Sequence, residues 1–252
     1  MIQSYLNRLT RSELFAVMTG GFASVAGSTL VGYALLGAPL PYLLAATVMN
    51  APASLYMAKM MFPETEESTS NEGVRDVRDT ESENVIDATA RGALNGGRIA
   101  VIVGCLLIAF IALIAMANGL LSGIGEWFGY DGLTFEKVLG WVFAPVAWLI
   151  GVPWDEAAEA GTYIGKKTVL NEFVAYADFG PDIKNLSDQT VVVTTFALAG
   201  FANFASIAIQ IGSIGGLAPE RRGDVASLGL KALLAGSMVN LANAAIAGMV
   251  AA

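Results

Sequence analysis

Histidine is absent from the 252 residues of the chain, and cysteine occurs once, at Cys105. The lack of histidine excludes imidazole metal ligands, a histidine general base and a Ser-His-Asp triad. A single cysteine inside an apolar run excludes a disulfide framework and a thiolate zinc site. We therefore expect a protein that is not an enzyme of these types, and no candidate of another enzyme class is well supported.

Charged residues are also scarce, because they make up 14% of the chain where a soluble domain has about 25%. Hydrophobic residues make up 55%, and the mean hydropathy is +0.59. The 28 glycines are typical of helices that pack closely in a bilayer. This composition predicts an all-α polytopic membrane protein. The net charge of −8 makes a nucleic-acid partner unfavourable.

Long apolar runs, separated by turn residues and polar loops, divide the chain into segments near the ~20 residues that cross a bilayer. The sequence GAPLP at 37–41 divides the first run, because proline and glycine end helices. We predict two transmembrane helices within 1–62 (13–36 and 41–62), an acidic loop and an interfacial helix at 63–98, a transmembrane helix at 99–125, a re-entrant hairpin at 136–177, a broken transmembrane helix at 190–218 and a last transmembrane helix at 225–252.

The apolar segment 138–154 is short for a spanning helix and ends at Pro153. Three carboxylates follow at once, Asp155, Glu156 and Glu159. An ionised carboxylate at the bilayer centre costs about 2.5–3.5 kcal/mol on insertion scales, so it persists where something polar is bound. One interpretation is an ordinary amphipathic helix outside the membrane. The other is a re-entrant hairpin whose tip presents Glu156 to a polar solute.

The distribution of lysine and arginine predicts the orientation of the chain. If 136–177 is a hairpin, one side of the membrane holds Arg8, Arg11, Lys59, Arg75, Arg78, Arg91, Arg98, Arg221 and Arg222, and the other holds Lys137, Lys166, Lys167 and Lys184. The richer side is expected to be cytoplasmic, which places the C-terminus outside. This result depends on the hairpin, because a spanning segment at 138–154 would invert the helices after it.

Two other apolar segments carry polar residues. In GFANFASIAIQ (200–210), Asn203 and Ser206 lie on one helical face beside Phe201. These residues either bond a neighbouring helix or bind a polar ligand, where an aromatic ring stacks on a planar base. In GGFASVAGSTLVG (20–32), the small residues either pack helices closely or loosen the helix and free oxygens for Na⁺. Asn240 and Asn243 in the last span are expected to bond between helices.

The sequence GKKTVLNEFVAY at 165–176 resembles the signature of the concentrative nucleoside transporters. GVPWDEA before it resembles that family's second hairpin tip, and GFANFASIAI after it resembles the broken seventh transmembrane helix. The resemblance covers essentially the whole chain, with 1–62 similar to the fourth and fifth transmembrane helices. A first hairpin with a GQ(T/S)E-type motif is missing from the 252 residues, so the chain resembles the C-terminal portion of such a transporter.

The resemblance implies a role for each matching residue. Glu156 is implied to hydrogen-bond the ribose hydroxyls of a nucleoside, together with Asn203 and Ser206, and Phe201 is implied to line the site. Ser24 and Val25 match the helix break whose oxygens help to bind Na⁺. The signature residues Lys167, Asn171, Glu172 and Phe173 are assigned to packing or gating. The family commonly has serine where this chain has Ala205, so a neighbouring hydroxyl is missing.

The expected function is ion-coupled uptake of purine or pyrimidine nucleosides by alternating access, with Na⁺ favoured as coupling ion over H⁺. The resemblance further implies a homotrimer in the plasma membrane, that is, the inner membrane of a bacterium. An alternative is a non-transporting structural or regulatory membrane subunit, or an inactive fragment. An intramembrane enzyme using Asp155 and Glu156 has poor geometry, since adjacent residues on a helix point about 100° apart.

Overall fold

The computed structural model describes residues 6–68, 84–130 and 132–251. All the regular secondary structure in these ranges is helical, as the composition predicts. The helices are α1 (Arg11–Ala23), α2 (Gly27–Leu35), α3 (Leu40–Met61), α4 (Val85–Trp127), α5 (Phe135–Leu149), α6 (Trp154–Val169), α7 (Glu172–Asp182), α8 (Asp188–Leu198), α9 (Phe204–Leu217) and α10 (Arg222–Ala251), with 3₁₀ turns at Ile183–Asn185 and Pro219–Arg221.

The chain forms two compact units, and α4 belongs to the smaller one. The helix begins at Asn84, whose side chain accepts a hydrogen bond from the Asp87 backbone at 2.9 Å. The prediction of a separate interfacial helix ending near 98 is wrong, because α4 runs without interruption from 85 to 127. No proline divides this stretch, and glycine inside a helix costs only about 1 kcal/mol. Most of the predicted acidic loop, residues 69–83, lies outside the described ranges.

In the larger unit, the region predicted as one helix at 13–36 is divided. α1 opens with a capping box in which Thr10 and Glu13 bond each other's backbone N–H, and it ends at Ala23. Ser24 has an extended backbone (φ −89°, ψ 161°), and α2 starts only at Gly27. The glycine-rich sequence therefore stops the helix completely and does not merely loosen it. Residues 24–26 are called the first break.

The long helix α10 organises the larger unit, because α1, α3, α8 and α9 all pack against it. Glycines allow this close approach. A Cβ atom on Gly236 would lie 2.5 Å from the Cβ of Phe22, and one on Gly229 would lie 2.8 Å from a methyl group of Ile207. The stretch Pro219–Ala251 is long and apolar enough to cross a bilayer as a single helix.

Helices α5 and α6 form a bent pair. They are apolar and long enough to cross a bilayer only when taken together, and the chain bends by 116° between them. The turn uses Gly151, whose φ of 109° favours glycine, and Pro153 precedes the first residue of α6. A Cβ on Gly161 would lie 2.7 Å from the backbone nitrogen of Ala144, so the two arms pack backbone to backbone. The predicted re-entrant hairpin corresponds to this pair.

A second interruption separates α8 from α9. α8 ends at Leu198, α9 begins at Phe204, and residues 199–203 between them are called the second break. After the hairpin, the NEFVAY sequence forms the first part of α7, which is started by Asn171. The first and second breaks and the start of α7 carry the polar groups considered next.

Candidate functional site

The start of α9 brings together two of the residues predicted to bind ribose. Asn203 caps the helix, and its Oδ1 atom accepts hydrogen bonds from the backbone N–H and the hydroxyl of Ser206, both at 2.9 Å. Asn203 is 1% exposed and Ser206 is fully buried. Phe201 is half-buried in the second break. The cap therefore concentrates buried polar atoms at a helix N-terminus, which attracts electron-rich groups.

Glu172 lies against this cap, although the sequence assigned it only to packing or gating. It is fully buried, and its carboxylate accepts hydrogen bonds from the Tyr33 hydroxyl at 2.9 Å and from Nδ2 of Asn203 at 3.1 Å. Tyr33 was missed by the sequence reasoning. Glu172 thus joins α2, which follows the first break, to α9, which follows the second.

Aromatic packing supports this carboxylate. The Tyr33 ring stacks on Tyr176 with centroids 4.7 Å apart, and it meets Phe173 edge-on at 4.9 Å. Asn171 accepts a hydrogen bond from the Val174 backbone at 3.0 Å and so caps α7. In this structure, Asn171 and Phe173 therefore position the helix that holds Glu172.

Glu156 lies in the first turn of α6 and is half-buried. Its two carboxylate oxygens accept hydrogen bonds from the backbone N–H of Ser187 at 3.0 Å and from its hydroxyl at 2.7 Å. Ser187 is the N-cap of α8, so the carboxylate faces the positive end of that helix. No direct hydrogen bond joins Glu156 to Asn203 or Ser206 in the described ranges. A carboxylate offers about four acceptor positions, so Glu156 keeps capacity for a further donor.

The two carboxylates that neighbour Glu156 in sequence, Asp155 and Glu159, have more exposed surroundings. Asp155 is exposed, and Glu159 is exposed and accepts a hydrogen bond from Tyr163 at 3.1 Å. A cavity of about 410 Å³ on this face of the hairpin is lined by Glu159, Thr162, Tyr163, Lys166, Ala177, Asp178, Pro181 and Asp182. None of the predicted site residues lines it.

The two breaks meet around buried amide groups. Nδ2 of Asn240 donates to the carbonyl oxygens of Ala23 at 3.0 Å and Ala199 at 3.1 Å, next to the first break and within the second. Asn50 also donates to Ala199, at 2.7 Å. Lys167 donates to Oδ1 of Asn240 at 2.7 Å. We call the side chains of Asn50, Lys167 and Asn240, with the carbonyls that they bind, the break junction.

The sequence predicts that Asn240 bonds between helices, and the structure agrees. The sequence does not predict that the partners of Asn240 are the backbone carbonyls of Ala23 and Ala199 at the two breaks. Lys167 is 3% exposed and also donates to the Ala197 carbonyl at 3.0 Å, so its place is in the junction. Asn50 was missed, although an asparagine within an apolar run is a signal that could have revealed it.

The candidates for Na⁺ lie in the first break. Ser24 is half-buried and Val25 is 9% exposed. Their backbone is outside the helical pattern, and Ser24 adds a hydroxyl oxygen. Backbone carbonyls of unwound helices and hydroxyl oxygens are the groups with which transporters coordinate Na⁺, so the chemistry of this pair fits the ion.

Comparison with known proteins gives a consistent result. A family profile described as "Na+ dependent nucleoside transporter C-terminus" matches residues 42–248. The chain is 56% identical to "Uncharacterized transporter YutK" of Bacillus subtilis, over 99% of this chain and 62% of that protein. It is 43% identical to "Putative nucleoside permease NupX" of Escherichia coli, over 98% and 60%. It is 37% identical to mouse "Sodium/nucleoside cotransporter 1", over 99% and 41%.

A solved structure is also similar. "Structure of CNTnw in an inward-facing substrate-bound state" has 52% sequence identity and a TM-score of 0.91, over 98% of this chain and 59% of that chain. The chain spans less than two thirds of the length of each of these proteins. The predicted fold class is confirmed: the chain is an all-α polytopic membrane protein with a re-entrant hairpin and broken helices. These relatives are named as transporters or permeases, not as enzymes.

Proposed function

This chain belongs to the family of Na⁺-dependent nucleoside transporters, and we propose that it serves Na⁺-coupled nucleoside uptake by alternating access. The observation that carries the proposal is the buried polar cap of α9, where Asn203, Ser206 and Glu172 gather inside otherwise apolar helices. Buried polar groups in membrane helices are costly, and they are typical of substrate and ion pathways.

In the proposed site, the nucleoside is held by its ribose. The two ribose hydroxyls donate to the carboxylate of Glu156, which retains acceptor capacity beyond its bonds to Ser187. Asn203 and Ser206 provide an amide and a hydroxyl, which both donate and accept. Phe201 stacks on the planar base, since aromatic rings prefer offset stacking. Purine and pyrimidine nucleosides share the ribose, so this half of the site does not choose between them.

The coupling ion in this proposal is Na⁺, bound by oxygens of Ser24 and Val25 in the first break. The family profile and the mouse relative carry sodium in their descriptions, which supports Na⁺ over H⁺. The ion is a co-substrate that moves down its gradient and drives the nucleoside inward. Lys167, Asn171, Glu172 and Phe173 have packing or gating roles, and they hold α7 and the ends of the broken helices in place.

The cellular setting is proposed on the same basis. The protein lies in the plasma membrane, the inner membrane if the source is bacterial, with the lysine- and arginine-rich side in the cytoplasm and the C-terminus outside. The segments 13–36, 41–62, 99–125, 190–218 and 225–252 cross the bilayer. The working assembly is a homotrimer.

The experiment that tests this proposal is uptake of labelled uridine and adenosine by bacteria that lack their own nucleoside transport and express the full-length protein. We expect uptake to stop when choline replaces Na⁺ and to continue when an uncoupler collapses the proton gradient at fixed Na⁺ gradient. Uptake that survives choline and stops with the uncoupler would establish H⁺ coupling instead. Absence of uptake from well-expressed, membrane-inserted protein would support the non-transporting subunit.

A further inference from the structure

Two interrupted helices end at the same point in the larger unit. Ala23 is the last residue of α1 and Ala199 follows the last residue of α8. The last carbonyls of a helix have no intrahelical partner and carry partial negative charge. Two such ends would repel each other in an apolar interior unless donors lie between them.

Asn240 supplies those donors. An amide nitrogen has two hydrogens, and Nδ2 of Asn240 places them towards the carbonyls of Ala23 at 3.0 Å and Ala199 at 3.1 Å. A reversed amide would direct Oδ1 at two carbonyl oxygens, and it would also lose the bond that Oδ1 accepts from Lys167 at 2.7 Å. The orientation of the side chain is therefore set by these three bonds, and Nδ2 also lies 3.4 Å from Oδ1 of Asn50. Asn240 is fully buried, so all three bonds form away from water.

The surrounding backbone is shaped for this amide. A Cβ atom on Gly200 would lie 2.1 Å from Oδ1 of Asn240, so residue 200 must be glycine for the second break to approach the side chain. Asn50 donates to Ala199 at 2.7 Å and holds the same carbonyl from the side of α3. In the break junction, Nδ2 of Asn240 therefore donates to the last carbonyl of α1, at Ala23, and to the Ala199 carbonyl in the second break.

We propose that Asn240 is a positioning residue that couples the ion to the nucleoside. The proposal rests on the function given above, in which Na⁺ binds at the first break and ribose at the end of the second. When the ion orders residues 24–26, it fixes the Ala23 carbonyl. Because the Asn240 amide binds both carbonyls, the Ala199 carbonyl and the α9 cap that follows it are then held in place as well. The ligands of the two breaks therefore stabilise each other through one side chain.

The test is the dependence of uridine affinity on Na⁺, measured by calorimetry on the purified full-length protein with choline as the replacement ion. The variants are Asn240→Ala and Asn240→Ser, whose single hydroxyl hydrogen can serve only one carbonyl. Asn243→Ala is the matched control. Asn243 is 4% exposed on the same helix, and its amide donates at 2.8 Å to Oδ1 of Asn50, a side chain of the break junction, but not to the carbonyl of Ala23 or Ala199. The control therefore removes a buried amide next to the junction and leaves both carbonyl contacts of Asn240 in place.

In the wild-type protein and in Asn243→Ala, saturating Na⁺ is expected to raise uridine affinity by about 5- to 150-fold, the usual range of coupling between two sites. In both Asn240 variants, we expect the enhancement to fall below about twofold while uridine still binds, because each ligand then acts alone. A purely structural role would lower affinity equally with and without Na⁺ and leave the ratio unchanged.

Full enhancement in the Asn240 variants, or an equal loss in Asn243→Ala, would overturn the inference. So would a failure of both Asn240 variants to bind uridine at any Na⁺ concentration while Asn243→Ala binds, since Asn240 would then serve folding alone. A wild-type protein that binds uridine without any response to Na⁺ would contradict the proposed coupling itself, and the inference would fall with it. The wild-type measurement thereby distinguishes a failure of the Asn240 inference from a failure of the proposed Na⁺ coupling.

Discussion

The substitution Tyr33→Phe removes one oxygen atom from the interior and leaves the aromatic packing in place. Tyr33 is fully buried, and its hydroxyl donates to Glu172 at 2.9 Å. Its ring contacts Tyr176 and Phe173, and phenylalanine preserves both contacts. Before the substitution, the side chains of Tyr33 and Asn203 both donate to the Glu172 carboxyl group. After it, Asn203 is the donor of this pair that remains.

The magnitude follows from the loss of a hydrogen bond to a buried carboxyl group. Removing one partner from a buried polar group costs about 1–3 kcal/mol. For a chain of this length, each kcal/mol corresponds to roughly 2–4 °C in Tm, so we expect Tyr33→Phe to lower Tm by about 2–12 °C. The loss of nonpolar burial is negligible, because the ring is unchanged.

The assay is the thermal loss of folded protein in detergent, followed by size-exclusion fluorescence. Tyr56→Phe is the matched control, since Tyr56 is 67% exposed and undergoes the same chemical change. We expect the control to melt with the wild-type protein. A Tyr33→Phe protein that melts with Tyr56→Phe would refute the reasoning, because the buried carboxylate would not depend on the Tyr33 hydroxyl.

Two further predictions concern the hairpin. Glu156→Gln keeps the shape of the side chain but removes its charge, so we expect uridine affinity to fall by about tenfold, or ~1.4 kcal/mol. The control Asp155→Asn, at the exposed neighbouring residue, is expected to change uridine affinity little. Equal uridine affinities of the two variants, measured by calorimetry, would show that Glu156 does not bind the nucleoside. Gly161→Ala places a Cβ 2.7 Å from the backbone of the opposite arm and is expected to cost about 1–3 kcal/mol in thermal stability, whereas Gly212→Ala, with open space around the new Cβ, is expected to be tolerated. If both glycine variants melted alike, the close packing of the hairpin arms would be contradicted.

The class and family were predictable because they depend on features that are local in sequence. Scarce charge and apolar runs predict a helical membrane protein, and the contiguous signature at 165–176 carries the family resemblance. The stop at Ala23 was harder to predict, because GGFASVAGS suits both a packed and an interrupted helix. The extent of α4 was mispredicted, since a change from polar to apolar residues within one helix resembles a boundary between two.

The polar contacts could not be predicted, because they join residues far apart in the chain. The Tyr33–Glu172 hydrogen bond spans 139 positions and the Asn240–Ala23 bond spans 217. A single sequence shows that these polar residues are unusual in apolar surroundings but does not show which backbone carbonyls they meet. The assignment of Glu156 to ribose stays a prediction, as does the assignment of Ser24 to Na⁺.

The central claim is that Glu156, Asn203 and Ser206 recognise the ribose hydroxyls of a nucleoside. The most direct test is calorimetric binding of uridine and 2′,3′-dideoxyuridine to the purified full-length protein in saturating Na⁺. The account predicts that uridine binds and that the dideoxy analogue binds at least about tenfold more weakly, because the analogue lacks the two hydroxyls that donate to the Glu156 carboxylate and bond Asn203 and Ser206. Equal affinity for the two compounds, or no binding of uridine, would contradict it.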